Sequence, residues 1–198
     1  QMILQIIGQV CWALGIHPGF LTSATGPIMF GLDGMNQAAY AAGQPIPNII
    51  GMAFSYSMTI AVLYPAFALA VLIFSKSNQL KTVGKISIAP AFFGISEPLM
   101  FGVPVVMNPF MAIPWIISPT VNVLLGWLAC SSGLVARYAG VTVFNFPMGV
   151  TGILNGSFTI AILEVVVCII DVLIFMPFVR IQDKKYIDAE KAAETEQN

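Results

Sequence analysis

Charged side chains are scarce in this chain. Among 198 residues there are 8 Lys and Arg and 9 Asp and Glu, together 9%, where soluble domains carry about 25%. With 58% hydrophobic residues and a mean hydropathy of +0.87, the deficit excludes a water-soluble domain and selects the membrane class. The net charge of −1 and the lack of a basic stripe exclude a nucleic-acid partner. Cysteine is also rare. Cys11, Cys130 and Cys168 lie far apart in apolar runs, with no CxxC or Cys/His spacing. Three thiols cannot all pair, so a disulfide framework and a metal centre are both excluded and buried apolar thiols are expected. No cofactor is expected either.

What charge there is lies in few places. Lys76, Lys81 and Lys85 share one short stretch, Arg180, Lys184, Lys185 and Lys191 share the C-terminal tail, and Arg137 stands apart. The chain opens at Gln1 inside an apolar run, with neither an initiator Met nor a basic n-region and cleavage site. It reads as the C-terminal part of a longer protein.

Residues 2–16 are apolar but short of the roughly 20 residues a spanning helix needs, and they stop at the GIHPG punctuation of Gly15 to Gly19. Residues 20–47, rich in Gly, Ala, Asn and Pro, read as a re-entrant or cavity-lining excursion followed by a loop. Residues 48–74 form an apolar run long enough to cross with tilt, and Pro65 predicts a kink within it. A lysine-bearing loop follows over 75–85. Residues 86–113 hold Pro90, Pro98, Pro104 and Pro109, with Pro114 just after, too many prolines for one straight helix. A hairpin that enters and leaves on one side is expected. Residues 115–135 read as a clean span, with Trp115, Trp127 and Tyr138 as candidate interface anchors. A loop over 140–156 and a last span over about 157–178 complete the membrane region, 1–180. The polar remainder, 181–198, reads as a solvated helix or as disordered. By the positive-inside rule the lysine loop and the tail are both cytoplasmic, which requires two full spans between them and so a re-entrant 86–113.

Within that broken stretch, GISEPLMFGVP (Gly94 to Pro104) holds one carboxylate, Glu97. A charge at membrane depth costs about 2.5–3.5 kcal/mol on insertion scales, and broken backbone there is tolerated only where it is buried in protein or lines a cavity. A polar-solute site in a membrane transporter is the reading that accounts for both.

The longer run GISEPLMFGVPVVMNPFMAIPW resembles the signature of the lactose/cellobiose/diacetylchitobiose family of sugar phosphotransferase membrane components (enzyme IIC). Glu97, Pro98, Phe101, Gly102, Pro104, Asn108, Pro109, Ile113 and Pro114 carry the match. GIHPG resembles the family's GIHG turn, and LIFMPFVR (Leu173 to Arg180) its closing helix end. The likeness covers most of this chain but only the C-terminal half of a family member. Ser96 stands where the family has Asn, and Pro18 where it has Gly.

The resemblance implies an all-α polytopic membrane protein with re-entrant helical hairpins and broken helices. It also implies translocation of a sugar, a disaccharide by family, across the bacterial inner membrane. Phosphorylation by a phosphocysteine partner subunit (enzyme IIB) would be coupled to that movement, and a homodimer would form through the missing N-terminal half. Glu97 is then the acceptor for sugar hydroxyls and the base that helps one of them attack the phosphoryl donor; the alternative is a carboxylate capping backbone N–H groups at the hairpin tip. His17, Ser96, Asn108 and Asn36 are the other candidate sugar contacts. His17 would otherwise be a satisfied core residue, Asn108 a helix cap, and Asp33 and Asn36, in GLDGMNQ, turn residues.

Glu164 and Asp171 are seven residues apart, about 700° around a helix, and so share one face. They face protein rather than lipid, either as a proton or cation relay or as structural pairs. An ion-coupled secondary transporter and a truncated, inactive membrane remnant are the rival readings.

Overall fold

The computed structural model describes residues 1–196, and every regular element among them is helical. Helix α1 (Met2–Ala13) precedes the GIHPG turn and α2 (Gly19–Ala41). An apolar span follows in three parts: α3 (Met52–Tyr56), a π-helical turn (Ser57–Ala61) and α4 (Val62–Phe74). Next come α5 (Asn78–Phe92), the short α6 (Glu97–Gly102), α7 (Pro109–Ser131), the short α8 (Val150–Leu154) and α9 (Phe158–Glu196). Three stretches are long and apolar enough to cross a membrane: Met52–Phe74, Pro109–Ser131 and Phe158–Thr195.

Pro65 is accommodated by the chain before it. Its ring removes one N–H and crowds the carbonyl four residues back, which is Ala61, the last residue of the π-helical turn. Wide turns of this kind recur where an inserted group disturbs the helical ladder.

Four expectations need correction. Residues 20–41 are a continuous helix, α2, which carries Pro27 internally, although its Leu21, Thr22, Thr25 and Met29 do line a cavity. The lysine loop is mostly helix: Ser77 caps α5 by accepting from the Leu80 N–H, so Lys81 and Lys85 ride on α5. The span expected from residue 115 begins six residues earlier. Asn108 accepts from the N–H groups of Phe110 and Met111, and Pro109, which has no N–H to satisfy, opens the helix. Trp115 and Tyr138 are core residues, at 0% and 1% exposure, rather than interface anchors. Trp115 stacks on Tyr64 and meets Phe67 edge-on, and Phe67 stacks on Phe175 at 4.5 Å between centroids. Of the three candidates only Trp127 is exposed, at 43%.

Over residues 181–196 the tail is helical, and its last two residues lie outside the described ones. Helix α9 runs unbroken through residue 180, the expected domain boundary, and on to Glu196. Its polar part is fastened to the start of α5. Asp183 accepts from the Lys76 N–H, the Ser77 N–H and the Ser77 hydroxyl, and Glu190 accepts from the N–H groups of Asn78 and Gln79. Two carboxylates from one helix therefore satisfy N–H groups at the start of another, where negative charge also suits the helix dipole.

GLDGMNQ fastens the opposite end. Asn36 gives its amide to the carbonyls of Asn48 and Tyr138 and accepts from the Asn48 N–H. Gln37 reaches the Gly140 carbonyl at 2.6 Å, and Asp33 accepts from the Ala53 N–H and the Thr142 hydroxyl. Burial raises the Asp33 carboxyl above its ordinary value, and those two hydrogen bonds pull it back. The backbone of α2 lies so close to residue 140 that a Cβ there would sit 2.4 Å from the Asp33 carbonyl oxygen, and φ at Gly140 is +88°. Only glycine fits both constraints. Arg137 donates to the Ile46 and Pro47 carbonyls, and Asn155 accepts from the N–H groups of Gly140 and Val141. The loops at this end have their polar backbone satisfied by side chains.

Candidate functional site

The breaks between α5, α6 and α7 bring the segment that holds Ser96, Glu97 and Asn108 up to the end of α1 and the turn that holds His17, while Asn36 lies at the other end of the bundle. Gly94, with φ +74°, turns the chain after α5, and the break after α6 ends at Met107, whose N–H donates to the Ala13 carbonyl at the end of α1. The GIHPG turn and the 97–108 segment are thereby tied together.

A cavity of about 200 Å3 opens among α1, α2, α3, the π-helical turn and α4. Trp12, Tyr56, Tyr64 and Phe144 supply aromatic wall, and Gln5, Gln9, Thr22 and Thr59 supply polar groups. Gln5 and Gln9 lie one turn apart on α1 and so share a face. Gln9 is buried, and its side-chain carbonyl oxygen has no hydrogen-bond partner. Aromatic wall with a few placed polar groups is the usual make-up of a small-molecule site.

His17 does not line this cavity but packs on Trp12, which does. Its ring packs edge-on against Trp12 at 4.7 Å between centroids, and Nδ1 accepts from the Gly19 N–H. That bond assigns the ring proton of the neutral form to Nε2 and holds the ring in place. Glu97 opens α6 with its side chain exposed. Ser96, at 3% exposure, lies beside the buried Tyr64, which is also cavity wall, whereas the exposed Glu97 acts on Tyr64 only through its charge. Through Ser96, Tyr64 joins the cavity wall to the start of α6. Asn108 and Asn36 are placed differently. Asn108 caps α7, and Asn36 spends its amide on Asn48 and Tyr138.

Sequence reasoning did not pick out Gln5, Gln9, Thr22, Tyr56, Thr59 or Tyr64. A polar pair at four-residue spacing within an apolar run, such as Gln5 with Gln9, was the signal present.

Glu164 and Asp171 lie outside this cavity, each at 0% exposure. Glu164 accepts from the hydroxyls of Ser57 and Thr151 and from the Gly149 N–H. Ser57 also bonds Tyr138. The carboxylate thus joins the π-helical turn, the start of α8 and α9. Asp171 accepts from the Asn122 amide at 2.7 Å.

The description Phosphotransferase system, EIIC, matches residues 1–119. The chain belongs to this EIIC family. It is 36% identical over 190 residues to the oligo-beta-mannoside-specific EIIC component of Bacillus subtilis (strain 168), covering 92% of this chain and 43% of that protein. It is 32% identical to the lactose-specific EIICB component of Lacticaseibacillus casei, over 92% of this chain and 33% of that one. The fold agrees as well. The crystal structure of the transporter ChbC, the IIC component of the N,N'-diacetylchitobiose-specific phosphotransferase system, superposes with a TM-score of 0.91 at 36% identity. That superposition covers 96% of this chain and 46% of ChbC. The chain therefore spans less than half the length of these relatives. As an EIIC chain with three apolar spanning helices it is a membrane component.

Proposed function

We propose that this EIIC chain is the sugar-holding, C-terminal part of a transporter that moves a disaccharide across the bacterial inner membrane and delivers it for phosphorylation. The cavity beside Trp12 and Tyr64 carries the reading. Its volume of about 200 Å3 is below the roughly 300–1,000 Å3 of whole-ligand pockets, so it would take one ring of the disaccharide. Aromatic faces suit the apolar face of a pyranose, and the Gln5, Gln9 and Thr22 side chains suit its hydroxyls.

Glu97 lies in the most broken part of the chain, which supports a role for its carboxylate in accepting a sugar hydroxyl. In the transfer step that hydroxyl oxygen attacks the phosphorus of a phosphocysteine on a partner EIIB protein. The P–S bond breaks, the cysteine leaves as thiolate, and the hydroxyl proton passes to Glu97. His17 assists by offering Nε2–H to a second hydroxyl, and Ser96 orients the segment through Tyr64. Asn108 and Asn36 would act at one remove, by setting the start of α7 and the loops around α2. The complete protein would pair as a homodimer through segments outside this chain. The ion-coupled alternative rested on Glu164 and Asp171. Glu164 is occupied by three donors from the protein itself, which favours a structural role.

Two measurements bear on this. In a full-length protein, Gln9→Leu removes a buried amide facing the cavity while keeping bulk. Sugar affinity should fall about tenfold, as expected for one lost hydrogen bond of roughly 1–1.5 kcal/mol. Uptake by the parent should persist after the proton gradient is collapsed if phosphoenolpyruvate is supplied. Unchanged affinity in the variant, or loss of uptake with the gradient, would point away from a sugar phosphotransferase site here.

The topology can be tested separately. Because Asp183 bonds the N–H groups of Lys76 and Ser77, the lysine-bearing connection and the α9 extension lie on one side, which the positive-inside rule makes cytoplasmic. The α5–α6 pair would then re-enter from that side. Single cysteines replacing Lys85 and Met107 should react with an impermeant thiol reagent added from the cytoplasmic face, and one replacing Leu134 from the opposite face. Labelling of positions 85 and 107 from opposite faces would overturn the re-entrant arrangement.

A further inference from the structure

A second cavity, of about 470 Å3, lies where α4 ends and α9 leaves its apolar stretch. Its lining is Ile73, Phe74, Lys76, Arg180, Asp183, Lys184 and Ile187. Lys76, Arg180 and Lys184 are exposed, and Arg180 lies over the Phe74 ring at 5.0 Å. Asp183 is the one acid in the lining, and both its oxygens are committed to the backbone and hydroxyl at Lys76 and Ser77. Three cations against one carboxylate leave the lining at a formal +2 (3 − 1).

The surroundings of this cavity are those of an interface. Positions 173, 177, 180 and 184 of α9 fall on one face by their spacing. Leu173 and Pro177 are exposed and apolar, and Arg180 and Lys184 follow. Ile73, at 59% exposure, lies alongside on α4. A helix face that passes from exposed hydrocarbon to two cations within a turn fits a ligand with a hydrocarbon body and an anionic head.

We propose that this cavity is a binding site for an anionic diacyl phospholipid. The headgroup phosphate sits among Lys76, Arg180 and Lys184, and the acyl chains lie along Ile73 and Leu173. Basic pockets at helix ends on the membrane boundary bind such headgroups, each cation contributing about 1 kcal/mol, or about fivefold in affinity. A free phosphate ion would satisfy the cations but would leave the apolar floor and the flanking exposed isoleucine and leucine unused.

The test uses the full-length protein in nanodiscs with phosphatidylglycerol or with phosphatidylcholine alone. It reads the lipid retained after detergent extraction by native mass spectrometry and the affinity for a spin-labelled phosphatidylglycerol. The parent should prefer phosphatidylglycerol at least tenfold. The double variant Arg180→Gln, Lys184→Gln should lose about 25-fold in that affinity, two cations at about fivefold each, while Lys191→Gln, away from the cavity, should retain it. No preference in the parent overturns the site without any variant having to fold. Displacement of the labelled lipid by millimolar inorganic phosphate would show an anion site without lipid selectivity and would also overturn it. So would a double variant that keeps phosphatidylglycerol but loses binding of a soluble phosphocysteine domain, because the cations would then belong to that partner's docking face.

Discussion

Glu97→Gln is expected to nearly abolish phosphorylation-coupled uptake in the full-length protein while leaving the sugar bound. The variant keeps the shape of the side chain and one acceptor oxygen, so what it removes is the charge. A charge-assisted hydrogen bond contributes roughly 1.5–3 kcal/mol, so affinity should fall by about ten- to a hundredfold. The loss in coupled uptake should be far larger, because an amide cannot take the proton of the attacking hydroxyl. His17→Ala should cost less in binding and leave uptake measurable. The readouts are sugar affinity and uptake driven by phosphoenolpyruvate with the phosphocysteine partner present. If Glu97→Gln binds and transports like the parent, the carboxylate is only a structural cap.

The second large effect concerns stability. Glu164→Ala strips the common acceptor from the Ser57 hydroxyl, the Thr151 hydroxyl and the Gly149 N–H. An unsatisfied buried donor costs about 1–3 kcal/mol in soluble proteins. Hydrogen bonds between membrane helices average about 0.6 kcal/mol, because the separated helices find other partners. Three donors together should therefore lower the stability by about 2–5 kcal/mol. The variant should be poorly recovered and should unfold at lower denaturant than the parent in the same detergent. Glu164→Gln keeps an acceptor and should recover much of the loss. A fully stable Glu164→Ala protein that failed to transport without a proton gradient would revive an ion-coupled role for this acid.

The sequence carried the fold at its strong features and lost it where polarity was ambiguous. The three apolar stretches, the breaks around Glu97 and the buried position of Glu164 and Asp171 were all readable from hydropathy, proline spacing and helical geometry. Helix α2 was not. Its Gly, Ala and Asn content resembles a loop because it is held by specific side-chain bonds, Asn36 to the 48 and 138 backbone above all, and not by an apolar face. Helix α5 was hidden by its lysines, which mark a loop by charge, although a Ser cap before residue 78 was present. The cavity itself was not legible. Glu97 and His17 stood out in the sequence because an acid and a lone histidine are rare here, but neither lines the cavity. Gln5, Thr22 and Tyr64 are single polar residues inside apolar helices, and nothing local separates those that face a cavity from those that only bond their own backbone, as Thr120 does to the Ile116 carbonyl.

The α9 helix, finally, has a mechanical side. Its 39 residues extend about 58 Å at 1.5 Å each, nearly twice the roughly 30 Å of a hydrocarbon core. Pro177 interrupts its hydrogen-bond ladder near the point of emergence, and a proline is where a helix bends most easily. Beyond that point Asp183 and Glu190 clamp the rod to the first turn of α5 in two places. A swing of about 10° at Pro177 would carry the far end, roughly 28 Å out, through about 5 Å, and α5 would have to follow. α5 in turn leads, through the Gly94 break, into the segment that bears Glu97.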